Sequence, residues 1–186
     1  AVGNLALTAS TTASYGTAVG KSALAANTTG GSNTGLGFKA LFANTTGASN
    51  TAVGTNSLDG NTTGANNTAM GQSALGGYLS LVSNTTGASG TAVGYQAAYS
   101  NTTGFANVAL GESALKANTT ASYNVALGHQ TLFSHTGSGI NTAVGALAGY
   151  TTTSGGSNTF IGTQAGYLNT TASNNNAVGY QALYSN

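Results

Sequence analysis

The side chains that could carry acid–base chemistry are few and widely separated in this sequence. Three lysines accompany one aspartate, one glutamate and two histidines, and there is no cysteine. The four groups that could act as acid or base near neutral pH are Asp59, Glu112, His129 and His135. An active site requires such groups to converge on one place. Their scattering predicts no catalytic residue, and we expect the chain not to be an enzyme.

The two histidines form the pair of potential metal ligands that lie closest in sequence. His129 and His135 are six residues apart, and a metal site would need further ligands beside them. Glu112, at the place equivalent to His129 one repeat earlier, is the one candidate. We favour two surface histidines without a metal, and the sequence predicts no other cofactor.

A series of Asn-Thr-Thr triplets offers a different chemistry. Asparagine in this setting is an acceptor for N-linked glycans, so a row of covalent glycans on an exposed edge is one interpretation. The favoured alternative is a ladder, in which the side-chain amides stack from repeat to repeat and satisfy turn backbone groups. An ice-binding threonine face is a third possibility, which interruptions by Ala and Asn argue against. The candidate glycosylation sites are Asn27, Asn44, Asn61, Asn84, Asn101, Asn118 and Asn169.

These triplets belong to a 17-residue repeat that runs through the whole chain. The segment 91–107, Thr-Ala-Val-Gly-Tyr-Gln-Ala-Ala-Tyr-Ser-Asn-Thr-Thr-Gly-Phe-Ala-Asn, shows it in full. A fixed period of this kind is the signature of a solenoid. The repeat restarts at Thr17, Thr34, Thr51, Thr68, Thr91, Val108, Val125, Thr142, Thr159 and Asn176, and residues 1–16 are a copy without its first residue.

Aligning the copies assigns an expected role to each repeat position. The third position, Val93 in the full copy, is apolar in all eleven copies, and with the first position it has the period of one strand face, so we expect both to point inward. The fifth, sixth and ninth positions carry all five charges, which predicts that they face solvent. The fourth position is always glycine, as expected at a corner that a Cβ would block. The eighth is Leu in eight copies and small at Ala98, Gly149 and Gly166, where a following tyrosine suggests an exchange of volume.

We therefore predict an all-β fold, a β-solenoid or β-roll of about eleven 17-residue coils. Coils stacked at strand spacing would form a rod on the order of 50 Å long. Helices are the competing interpretation, but frequent Gly, Thr and Asn oppose them. One coil carries a six-residue insertion, because eight residues lie between Leu75 and Asn84 where other copies have two. Its uncharged apolar part is a candidate inter-subunit contact formed by Tyr78, Leu79, Leu81 and Val82.

Two resemblances reach these motifs. The Thr-Ala-Val-Gly-x-x-Ala pattern resembles the Ala-Ile-Gly-x-x-Ala repeats in the β-roll heads of trimeric autotransporter adhesins. The fuller segment 176–186, Asn-Ala-Val-Gly-Tyr-Gln-Ala-Leu-Tyr-Ser-Asn, resembles repeats of phage tail-fibre-like and bacterial surface proteins. The resemblance implies an architectural role at a cell or virion surface, with a trimer as one possible assembly, and it transfers no catalytic residue.

The expected function is structural, as part of an extracellular fibre, filament or surface stalk that self-associates. The alternative is an adhesin that binds surface glycans through aromatic residues at its variable positions. A net charge of +1 argues against nucleic acid, and apolar runs of only a few residues argue against membrane insertion. We expect residues 1–186 to be a single repeat array within a longer fibrous chain.

Overall fold

The computed structural model describes residues 1–75, 84–137 and 139–185. Within these ranges the regular structure is entirely β, as predicted. Each strand begins at or immediately before the first position of a repeat. The ten strands are β1 (Thr17–Val19), β2 (Thr34–Leu36), β3 (Thr51–Val53), β4 (Thr68–Met70), β5 (Thr91–Val93), β6 (Val108–Leu110), β7 (Val125–Leu127), β8 (Asn141–Val144), β9 (Asn158–Ile161) and β10 (Asn176–Val178).

The strands form one parallel sheet in the order of the sequence, which is the topology of a β-solenoid. Each residue pairs with its equivalent in the next repeat, as Thr17 does with Thr34. A parallel bridge between Val2 and Val19 adds the first, incomplete copy. The register survives the insertion, because Thr68 pairs with Thr91 across it. The candidate contact at Tyr78, Leu79, Leu81 and Val82 lies outside the described residues and stays a prediction.

The hydrophobic core contradicts the predicted strand phase. The buried strand residue is the second of the repeat, such as Ala92, while Thr91 and Val93 on either side are partly exposed. Small second and seventh residues pack there against the eighth-position leucines, such as Leu115. Where the eighth position is leucine, that side chain fills the interior, and the strand centre holds only Ala or Gly. Valine at an exposed strand position reflects its fit to a pleated surface and not burial.

The predicted exchange of side-chain volume between the eighth position and the tyrosine that follows it is wrong, because Phe160 fills the space instead. It occupies the second position, where other copies have Ala or Gly, and it is fully buried. An added Cβ at Gly149 would lie 2.9 Å from the Phe160 ring, and one at Gly166 would also overlap it. The ring therefore fills the space that two missing leucines leave. The tyrosines that follow those glycines, Tyr150 and Tyr167, stack on each other outside the core.

The corners of the coil depend on backbone conformations that recur in every copy. At the fourth position Gly94 has φ +128°, and a Cβ there would lie 2.7 Å from the carbonyl carbon of Gly111 in the next coil. The predicted steric reason for this glycine is confirmed. The sixth and eighth positions are left-handed in every described copy, as at Ser113 (φ 56°) and Leu115 (φ 52°). The sixth position was predicted to face solvent, but Ser113 at this position is buried in the turn.

Candidate functional site

The Asn-Thr-Thr asparagines form a ladder inside the coil, which confirms the favoured interpretation. Asn44 Nδ2 donates to Asn27 Oδ1 at 2.7 Å, and its second hydrogen is donated to the Gly47 carbonyl at 2.9 Å. The same amide-to-amide bond continues through the following coils to Asn118, whose Nδ2 donates to Asn101 Oδ1 at 2.9 Å. Each amide thus joins two coils and closes its own turn.

The candidate glycosylation sites are consequently interior residues. All seven are at most 2% exposed. Five of them donate both Nδ2 hydrogens to protein acceptors: Asn44, Asn61, Asn84, Asn101 and Asn118. A glycan replaces one of these hydrogens and needs space that the coil does not have. Glycosylation at these residues stays a prediction, but a glycan and the ladder exclude each other at every such amide. Asn66 also begins an Asn-x-Thr glycosylation motif, through Thr68, and it differs from these seven because it is exposed.

A second asparagine ladder, at the last repeat position, was missed by the sequence reasoning. Asn33 Oδ1 accepts the backbone N–H of Asn50 at 2.9 Å, and Asn33 Nδ2 donates to the Gly47 carbonyl at 2.7 Å. Asparagine occupies eight of the ten last positions in the repeats, and that frequency was the signal available. Threonines join the same scheme, since Thr45 Oγ1 donates to the Thr62 carbonyl of the next coil at 3.0 Å.

The first ladder is interrupted where histidine and threonine replace its asparagine. His135 is fully buried, which corrects its prediction as a surface residue. Its Nε2 lies 3.1 Å from the Gly139 carbonyl and donates to it. Its Nδ1 finds no hydrogen-bond partner in the described structure. The Asn118 Oδ1, Thr152 Oγ1 and Asn169 Oδ1 atoms are also buried without a partner there, so four successive coils carry an unsatisfied group at this position.

The remaining titratable groups do not converge. His129 and Glu112 are exposed at the fifth position, whereas His135 faces the interior, so the two histidines cannot share a ligand. Among the described residues no three His, Cys, Asp or Glu side chains come close enough to bind a metal. Asp59 is partly buried, and burial raises its carboxyl pKa to about 6, although a backbone hydrogen bond from Gly60 and the charge of Lys39 oppose the shift.

The ninth-position side chains form an aromatic column along one side of the rod. Phe133, Tyr150, Tyr167 and Tyr184 stack face to face, with centroids 5.2 to 5.3 Å apart. Lys116 extends the column, with its Nζ 5.5 Å from the Phe133 centroid. Such stacking covers the ring faces, which are the surfaces that offer π contacts to a cation or a ligand. The column is therefore mainly another coil-to-coil ladder.

A pair of aromatic residues outside this column is more open. Phe105 and Tyr123 meet edge to face with centroids 4.8 Å apart, and they are 43% and 53% exposed. Fifth-position rings such as Tyr95, which belong to the variable positions predicted to bind a ligand, are also exposed. The Phe105–Tyr123 pair lies at the fifteenth and sixteenth positions, outside that predicted set.

Comparison of the chain with protein-family models, curated proteins and solved structures found no significant match. The part of the chain that the structure describes contains no helix long and apolar enough to cross a bilayer.

Proposed function

We propose that this chain is a structural rod, a repeat segment of an extracellular fibre, filament or surface stalk that associates with further copies of itself. The observation that carries the proposal is the internal Asn ladder, with each amide bonded to its equivalent one coil away. The asparagines and threonines of the Asn-Thr-Thr triplets are bonded to the equivalent residues of adjacent coils, and ninth-position rings stack on their equivalents. The surface location, at a cell or virion, rests on the resemblance of the repeats.

The direction of the bonds fits a load-bearing role. Strand pairing, both asparagine ladders and the threonine bonds connect each coil to the next, so they run along the rod axis. These bonds therefore resist the separation of one coil from the next. Length then scales with the number of repeats, because each coil contacts only its neighbours.

Electron microscopy and force measurements on the purified chain test this proposal. Single molecules should be rods on the order of 50 Å long. Pulled from the two ends in a single-molecule instrument, the rod should extend only at high force and in discrete steps. A compact round particle, or smooth extension at low force, would overturn the structural role.

The second candidate is a binding module for surface glycans. The exposed Phe105–Tyr123 pair favours it, because open aromatic edges and faces can pack against sugar rings. A glycan array probed with the chain and with Tyr123→Ala tests this function. Binding lost in the variant would support it, and an array without signal for either protein would contradict it.

A further inference from the structure

We propose that the outward face of the parallel sheet is a lateral interface that docks a second copy of this chain. This outer strand face is formed by the first- and third-position side chains of the repeats. The inference deepens the proposed structural function and rests on it. It identifies the surface through which rods associate side by side, a role that the sequence analysis assigned to the insertion.

The third-position column supplies the apolar part of this face. It is apolar in every one of the eleven copies, yet its members are turned away from the core. In the middle of the rod, where no end effect operates, Met70 is 45% and Leu110 is 41% exposed. A continuous exposed apolar surface of this kind typically marks an interaction site. The column consists of Val2, Val19, Leu36, Val53, Met70, Val93, Leu110, Leu127, Val144, Ile161 and Val178.

The outer strand face is also free of charge. Its first-position column is threonine in most copies and valine at Val108 and Val125. The five charged side chains all lie at the fifth, sixth or ninth positions. Covering the face therefore buries no ion, and its exposed threonine hydroxyls are the only side-chain polar groups on most strands. A highly charged partner such as nucleic acid would find no complementary group there.

The spacing of the columns selects a second copy as the occupant. Side chains on the outer strand face recur at the strand spacing, about 4.8 Å along the rod. A partner can interdigitate over the full length only if its own side chains recur at the same interval. Another copy meets this condition by construction, and two sheets can pack face to face about 10 Å apart. A two-fold arrangement would make the contact self-complementary.

The area of the outer strand face sets the expected strength of the association between two copies. Eleven coils at this spacing give a length of about 50 Å, and two side-chain columns give a width of about 12 Å. About 600 Å² per copy is thus available, against about 800 Å² per partner in a standard stable interface. The contact should therefore be weak and reversible for these eleven coils. It should strengthen with every repeat that is added.

Sedimentation equilibrium across a wide concentration range tests the proposal. The face variant is Val93→Lys with Val144→Lys, which places two cations on the outer strand face. The matched control is Gln72→Lys with Thr163→Lys, which adds the same charge at exposed fifth positions. A second face variant, Val93→Thr with Leu110→Thr, removes apolar surface without adding charge. Circular dichroism and thermal melting establish that each variant is folded.

The wild-type chain and the fifth-position control should associate with the same dissociation constant. The dissociation constant of the lysine face variant should be at least tenfold higher than that of the wild type. The threonine face variant should have a dissociation constant between these two values. Equal association of the folded face variants and the wild type would overturn the proposed surface. Wild-type rods that stay single at every concentration would overturn it too. Equal association of the folded variants leaves the proposed function intact, whereas single wild-type rods would also remove self-association from it. Neither result affects the mechanical test of the rod, so the lateral interface and the structural role fail separately.

Discussion

Two titratable residues leave a buried polar side-chain atom unsatisfied inside the rod. Asp59 and His135 both have a buried side-chain atom without a hydrogen-bond partner in the described structure. An unsatisfied buried polar group costs about 1–3 kcal/mol. These two residues therefore offer direct tests of the ladder and of the coil interior.

Asp59→Asn should stabilise the fold at neutral pH. The raised pKa, about 6 against 3.8, means that the folded state holds the proton more tightly. The free energy of unfolding then falls as pH rises from about 4 to 6, and the full penalty remains above that range. Partial exposure limits the penalty to roughly 1 kcal/mol. Urea unfolding of both proteins at pH 3.5 and 7.5 checks this, with a gain expected only at pH 7.5. An equal gain at both values would assign the effect to something other than the charge.

His135→Asn should repair the asparagine ladder. The new Nδ2 can donate to the orphaned Asn118 Oδ1, for a gain of about 1 kcal/mol. Burial lowers the His135 pKa below 6.5, so the wild type loses stability as pH falls below that value while the variant does not. Chemical denaturation at pH 7.5 and 5.0 measures both effects, and the gain should be larger at pH 5.0. Thr136→Asn, at an exposed neighbour, is the control and should change little; a loss of stability in His135→Asn would contradict the repair.

At the scale of the secondary-structure element, the coil depends on turns that restrict residue type. The left-handed sixth, eighth and sixteenth positions disfavour β-branched side chains. The sixteenth position gives a natural comparison. Tyr123 has φ 61° there, whereas Ile140, the β-branched member of that column, is not left-handed. The turn has adjusted to the residue.

Leu115→Ile should destabilise the coil although it conserves volume. Leu115 is fully buried with φ 52°, a conformation in which a branched Cβ is strained. We expect a loss of about 2 kcal/mol. Leu115→Met keeps an unbranched Cβ and should lose less than about 1.5 kcal/mol. Thermal and urea unfolding compare the two, and equal losses would show that packing rather than backbone strain governs this position.

Gly94→Ala should be among the most damaging small changes in the chain. The φ of +128° and the Gly111 backbone both exclude a Cβ there, so the loss should be about 3 kcal/mol. Gly31→Ala provides the control, because the equivalent position carries Ala48, Ala65 and Ala88 and its Cβ would meet nothing nearer than 3.4 Å. Urea unfolding should leave the control near the wild type. A mild effect at Gly94 would refute the steric account of the corner.

At the scale of the whole molecule, equivalent coils should be removable as units. Excising residues 91–107 joins Gly90 to Val108 in phase, so every ladder continues. We expect a folded rod one coil shorter, by about 4.8 Å. Excising 92–107 instead removes one residue fewer and shifts the register, which should disrupt the stack. Circular dichroism and small-angle X-ray scattering distinguish the outcomes, and two equally folded deletions would contradict register-dependent stacking.

The solenoid and much of its internal chemistry follow from the order of the residues alone. An exact period forces equivalent residues to stack, so the β fold, the glycine corner and the Asn-Thr-Thr ladder could all be inferred from columns of identical residues. Identical amides stack because the repeat brings them into register, so the ladder can be inferred without knowing the cross-section of the coil. The last-position ladder at Asn33 and Asn50 follows the same logic and was detectable in principle.

The direction in which each column of side chains points depends on how the coil folds in three dimensions. Val93 and Ala92 are both apolar, and alternation along a strand leaves two possible phases. The second-position alanines face the interior because the eighth-position leucines already fill the space beside them. The third-position valines therefore face outward and form part of the outer strand face. Burial of His135 and the filling of two glycine gaps by Phe160 likewise depend on the width of the coil, a quantity that no single column of residues encodes.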